Sequence, residues 1–216
     1  MCRVPNKILR KLKKMNIRYF SILSTVVSAF FLCGAEPVLK NGVLSFGGGV
    51  KLVPYTQTVK WISPEERAAK NRMTEKDVWE TVLPGKTAPV VIATSLKAQQ
   101  DKTFAYSAAW KFQDKKDVKE RFLFLNLPLD SVKGKNFVFN GKTVPVVGIR
   151  KFAWYQLRNQ VISMTFFKGE AGKEFTLTSK GKIRVSCETH PKGNRVWVRI
   201  YPVNPVEQIE FTVSVK

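Results

Sequence analysis

From Gly42 to the last residue the chain is written in short runs where apolar and polar positions alternate, cut by glycine, proline, asparagine and serine. A period of two places successive side chains on opposite faces of a strand, and many such runs at close spacing predict an all-β domain. The expected strands cover 42–46, 50–54, 58–62, 89–95, 103–112, 121–127, 136–139, 143–147, 151–157, 161–168, 174–179, 182–188, 195–201 and 208–215. So many strands exceed one small sheet, so the expected fold is all-β, an antiparallel two-sheet β-sandwich. The turns "NGK" at Asn140–Lys142 and "RNQ" at Arg158–Gln160 read as hairpin connections, because asparagine and glycine tolerate positive φ.

One stretch breaks the period. At "SPEERAAKNR", Ser63 offers a cap, Pro64 a first helical residue and Glu65 and Glu66 an acidic first turn. Thr74, with Asp77 three residues on, offers a second start. The pattern predicts a short helical insertion near residues 63–83, a flap or binding loop at one end of the sandwich.

The first 35 residues follow a different logic. Seven Lys and Arg stand between Met1 and Arg18 with no acid, an uncharged run follows over 19–32, and Cys33 and Ala35 precede Glu36. Basic, apolar, then small residues is the order of a secretory signal, so 1–35 is read as a signal peptide cut after Ala35 and 36–216 as one domain. Translation from Met15 yields the same product. A lipoprotein cut before Cys33 disfavours Leu32, and a membrane anchor over 19–35 is shorter than the ~20 residues that span a bilayer. The expected location is therefore periplasmic or extracellular, with a membrane anchor as the minor alternative and no stable membrane insertion after cleavage.

Removing that segment sharpens the charge. The whole chain carries 37 Lys and Arg against 16 acids; 37 less seven leaves 30, a formal +14. Such a surplus attracts polyanions. Export and the absence of any nucleic-acid-binding motif argue for no nucleic acid as partner, which leaves an acidic polysaccharide or another envelope polyanion, or a solvated lysine surface. Only Cys187 remains, so no internal disulfide forms. It alternates with Ile183 and Val185 and is read as a buried thiol.

Residues 121–150, "RFLFLNLPLDSVKGKNFVFNGKTVPVVGIR", run from an apolar strand closing in Leu-Pro, through a Lys-Gly loop and an aromatic strand, to an Asn-Gly-Lys turn and a further strand. This resembles β-sandwich modules of secreted bacterial polysaccharide-active proteins. The resemblance implies a sugar-related setting and transfers no functional residue.

Catalytic signals are sparse. The single histidine, His190 in "ETHPKGN", is read as an exposed loop residue. One His and one Cys cannot build a zinc site, and "SFGGGVKL" lacks the Gly-Lys-Ser/Thr ending of a phosphate loop. The expected cofactors are none, the expected metal sites none. Among Glu170, Glu174, Glu188, Asp130 and Glu210, sequence context singles out no hydrolase pair.

The sharpest local signal is "RVWVRIY". Val196, Val198 and Ile200 fall on one face, Arg195, Trp197, Arg199 and Tyr201 on the other, and Arg184 lies outward on the preceding strand. With a loop over 189–194, Glu188 is expected opposite Arg195, Ser186 opposite Trp197 and Arg184 opposite Arg199. Facing like charges need a negative partner, either Glu210 or an external uronate or sulfate on flat Trp and Tyr faces. A second stripe, Phe104, Tyr106, Ala108, Trp110 and Phe112, is read as core. Phe152, Trp154 and Gln156 form another face. The expected function is non-catalytic binding of an acidic glycan through Arg184, Arg195, Trp197, Arg199 and Tyr201. The rival readings are a lyase or hydrolase acting on such a glycan, and a structural envelope protein with no small ligand.

Overall fold

The computed structural model describes residues 36–58, 60–114, 118–146, 155–190, 193–202 and 208–216. Residues 1–35, Val147, and Phe152 and Trp154 with the start of their expected strand lie outside the described residues.

Among the described residues, fifteen antiparallel strands join in one hydrogen-bonded network. In chain order they are β1 (Val38–Lys40), β2 (Val43–Ser45), β3 (Lys51–Gln57), β4 (Trp61–Ile62), β5 (Lys70–Glu75), β6 (Val78–Leu83), β7 (Val90–Ala98), β8 (Thr103–Lys111), β9 (Glu120–Pro128), β10 (Asn136–Phe139), β11 (Lys142–Pro145), β12 (Tyr155–Phe166), β13 (Phe175–His190), β14 (Arg195–Pro202) and β15 (Gln208–Val215). A four-residue helix, α1 (Leu129–Val132), follows β9. The main path runs β1-β2-β3-β9-β14-β13-β15-β8-β7-β6-β5.

Strand β13 organises the rest. Its first part, Phe175 to Ser179, pairs with β15, its second, Ile183 to His190, with β14, while β12 follows the opposite edge throughout. The sheet therefore forks at Lys180, Gly181 and Lys182 and curls into a half-barrel. One leaf continues through β14, β9 and β3, the other through β15, β8, β7 and β6.

Alternation decides what the fork encloses. Leu123, Leu125, Val198, Ile200 and Val185 from one leaf share a single buried cluster with Ile92, Tyr106, Trp110, Phe211 and Leu177 from the other. The stripe on β8 is core, as its pattern predicts. Cys187 is fully buried in the same cluster, and burial pushes its thiol far up. It is a packing residue without nucleophilic character.

Three local expectations change. Residues 63–83 form no helix. Ser63 accepts the Glu65 amide, but only single turns follow, Glu66 N to Ser63 O at 3.1 Å and Ala69 N to Glu66 O at 2.9 Å, before the β5–β6 hairpin. A helix needs an apolar stripe to pack; "EERAAKNR" has none, whereas "VWETVL" alternates and buries Thr81 and Leu83. Thr74 and Asp77 frame the hairpin turn, with Asp77 at φ 59°. Second, Arg158–Gln160 is no turn: β12 passes through it, shifting register between Leu157 and Val161 opposite the fork. Third, the short pair β1 and β2 closes on Asn41 and Gly42, both at positive φ (50° and 76°). The "NGK" turn forms as predicted between Phe139 and Lys142.

Candidate functional site

Five neighbouring strands, β3, β9, β14, β13 and β12, turn their alternate side chains away from the main core. Pairing lays them out in rows. Lys51, Asn126, Trp197 and Glu188 form one row. Val53, Phe124, Arg199, Ser186 and Gln156 form the next. Tyr55 and Phe122, with Tyr201 and Arg184, form the third.

The β3–β9 side of this face is a second, small core. Val53, Phe122 and Phe124 are buried, with Tyr55, Trp197 and Tyr201 packed half-buried around them. The rings form a continuous net: Phe122 meets Tyr55 at 5.9 Å, Trp61 at 5.2 Å, Phe124 at 5.2 Å and Tyr201 at 5.0 Å, while Phe124 meets Trp197 at 5.0 Å. Burying each Phe stabilises by about 1.5–3 kcal/mol. Trp61 still presents 42% of its surface to solvent. The net thus has a fixed base and an open rim.

Arg199 joins this apolar side to a polar one. Its guanidinium lies 5.4 Å from the Phe124 ring centre and 6.0 Å from that of Phe122, and Nη2 contacts Glu188 at 2.9 Å. Its buried Nε finds no acceptor among the described residues, and neither Asn126 Oδ1 nor His190 Nδ1 finds a partner there. Arg184 stacks on Tyr201 at 4.6 Å, and no carboxylate pairs with it among the described residues. Burial raises the Tyr201 phenol above its ordinary pKa, with the adjacent Arg199 opposing, and burial likewise raises Tyr55. Both phenols are neutral at pH 7.

Two depressions share Arg199. One, of about 210 Å³, is lined by Tyr55, Trp61, Phe122, Phe124, Asn126 and Trp197. The other, of about 400 Å³, is lined by Glu120, Gln156, Arg184, Ser186, Glu188 and Tyr201. Together they offer ring faces and a balanced set of two guanidiniums and two carboxylates.

Four of the five sequence-predicted residues meet here: Arg184, Trp197, Arg199 and Tyr201. Arg195 lies beyond the depressions, donating through Nη1 to the Gly49 carbonyl at 3.2 Å. The expected register is two residues out. His190 ends β13 opposite Arg195, which leaves a four-residue connection and sets Arg184 against Tyr201, Ser186 against Arg199 and Glu188 against Trp197. No pair of like charges faces across the strands, and the counter-charge of Arg199 is Glu188. Glu210 pairs with Lys180 at 3.3 Å, away from this face. His190 is no loop residue; its ring stacks on Trp197 at 4.3 Å. Of the other acids, Glu170 holds Lys135 at 2.8 Å, Glu174 holds Lys216 at 2.8 Å and Asp130 accepts Asn194 at 2.7 Å.

Sequence reasoning missed Tyr55, Trp61, Phe122, Phe124 and Asn126. The alternation of "RFLFLN" was there to read, but Leu and Phe bury equally well, so nothing marked the Phe face as the outer one. No group of three or more His, Cys, Asp or Glu gathers as a metal set among the described residues. No family model, curated protein or solved structure matches the chain. The face is read from its own chemistry.

Proposed function

We propose that this is an exported protein that binds an acidic carbohydrate on the outer face of β3, β9, β14 and β13. The observation that carries the reading is Arg199, a guanidinium held by Glu188 and two buried rings where an aromatic depression meets a polar one, whose Nε finds no acceptor among the described residues. The Arg199 side chain keeps 30% of its surface exposed, so its guanidinium is open to a ligand oxygen. Half-exposed Trp61, Tyr55 and Trp197 give flat amphipathic faces for a sugar ring. Arg184, stacked on Tyr201 and without a carboxylate partner among the described residues, suits a uronate carboxylate. The fork at β13 supports treating the two leaves as the layers of a sandwich that holds this face rigid.

Binding is favoured over β-elimination by the Tyr201 phenol, which burial keeps protonated and so unsuited to act as a base. The test is a glycan array at low and moderate salt, followed by titration of Arg184→Gln. Arg184 is exposed, so the variant keeps the wild-type melting temperature while affinity for acidic glycans drops about tenfold. Absence of binding to every acidic glycan at low salt overturns the proposal, and release of unsaturated or newly reducing ends replaces it with an enzyme.

A further inference from the structure

The floor of the face forms a track that runs across the strands. Exposed Trp61 on β4 meets Phe122 on β9 at 5.2 Å, Phe122 meets Tyr201 on β14 at 5.0 Å, and the Tyr201 ring lies 4.6 Å from the Arg184 guanidinium on β13. From β9 to β13 the track makes two inter-strand steps, about 10 Å at about 4.8 Å each, and from β3 to β12 four, about 19 Å. Such a span exceeds one sugar ring. The depressions on the two sides of β14 also differ in charge. The aromatic one is lined by Tyr55, Trp61, Phe122, Phe124, Trp197 and Asn126, has no carboxylate in its wall, and its one guanidinium, Arg199, is engaged by Glu188 at 2.9 Å. Ring faces carry the negative part of the aromatic quadrupole, so they favour an uncharged sugar over a carboxylate. The polar depression holds Arg184, which has no carboxylate partner among the described residues, beside Glu120 and Glu188. It takes one anion against Arg184, and a second would face the two acids.

Resting on the carbohydrate reading above, we infer that the ligand is an oligosaccharide lying across the strands, with an uncharged sugar over the aromatic rings and a uronate against Arg184. Its chemical class is a glycan whose carboxylates are spaced by neutral rings, as opposed to one with an acid on every ring or a dense row of sulfates. The spacing of charge selects the ligand, and the lysine surplus elsewhere plays no part in the choice.

The experiment is calorimetric titration of the protein with tetrasaccharides that share a cellulose-type backbone and differ only in carboxylates: cellotetraose with none, an alternating chain of glucose and glucuronate, and tetraglucuronate with one on every ring. A hyaluronan tetrasaccharide serves as a second alternating probe. At least one alternating probe is expected to bind about tenfold more tightly than both cellotetraose and tetraglucuronate, and about a hundredfold more tightly than free glucuronate. Arg184→Gln is expected to bring the alternating chain and cellotetraose to the same affinity. Trp61→Ala is expected to weaken both about tenfold and to keep the ratio between them. These ratios between ligands are readouts that a general loss of folding does not mimic. Equal or tighter binding of tetraglucuronate or of a heparin tetrasaccharide overturns the inference, as does free glucuronate matching the alternating chain, or failure of both alternating probes to bind. Each of these results leaves carbohydrate binding to be decided by the glycan array, where binding of no acidic glycan overturns the carbohydrate reading itself.

Discussion

The carboxylate of Glu174 accepts the Gly169 amide at 2.7 Å and the Lys216 ammonium at 2.8 Å, while its backbone carbonyl receives the Lys216 amide at 3.0 Å. One nearly buried side chain thereby ties the loop before β13 to the end of β15. The Gly169 hydrogen bond first, and then Lys216, hold its pKa below the ordinary carboxylate value. A group whose pKa is depressed on folding binds fewer protons in the folded state, so its contribution is complete above the unfolded pKa and disappears as pH falls through the folded one. Wild-type stability is therefore expected to decline between about pH 5 and about pH 2 more steeply than that of Glu174→Gln. Urea midpoints measured across that range check it. Equal slopes would show that Glu174 titrates alike in both states.

At the scale of elements, two glycines with nearly the same backbone angle separate turn strain from packing. Gly42 has φ 76° and Gly141 φ 78°. A Cβ at Gly141 meets nothing within 4 Å; at Gly42 it comes within 2.8 Å of Thr81 Oγ1, which donates to Asn71 Oδ1 at 2.6 Å. Gly141→Ala is expected to cost about 1–2 kcal/mol through φ alone. Gly42→Ala adds the disturbed Thr81–Asn71 bond, about 1 kcal/mol more. Chemical denaturation of both variants tests the difference, and an equal loss means that the β1–β2 turn does not press on β6. The same contrast shows where pattern suffices. Asn-Gly turns and two-residue periods placed most strands because they are local. The β5–β6 hairpin was misread as helix because Ser63, Pro64 and two glutamates signal a start without saying whether an apolar stripe follows. The fork of β13 was not legible either, since 174–179 and 182–188 read as two strands around "SKGK", and only tertiary pairing makes them one.

On the whole molecule, charge and site part company. Sequence alone picked out Arg184, Trp197, Arg199 and Tyr201 because strand alternation is local. It could not pair Arg199 with Glu188, which depends on a cross-strand register two residues from the simplest one. Nor could it show that the face is balanced although residues 36–216 carry 30 basic groups against 16 acids, a formal +14. The surplus lies on exposed lysines spread over the fold, among them Lys40, Lys60, Lys76, Lys97, Lys111 and Lys142. Such charges repel one another over distances beyond a single ion pair, an effect that opposes compaction. The ion pairs work the other way, but Lys51–Glu65, Lys180–Glu210 and Lys216–Glu174 each have an exposed lysine, and exposed pairs contribute about 0–1 kcal/mol each. Salt weakens both terms unequally. With a Debye length near 30 Å at 0.01 M and about 8 Å at 0.15 M, added salt suppresses the long-range repulsion first and leaves contacts below 4 Å less affected. The melting temperature is therefore expected to rise as NaCl increases from about 10 to about 150 mM. Scanning calorimetry decides the sign. A melting temperature that falls over this range would mean that the ion pairs outweigh the lysine surplus, and that the basic surface is an organised network rather than a diffuse excess.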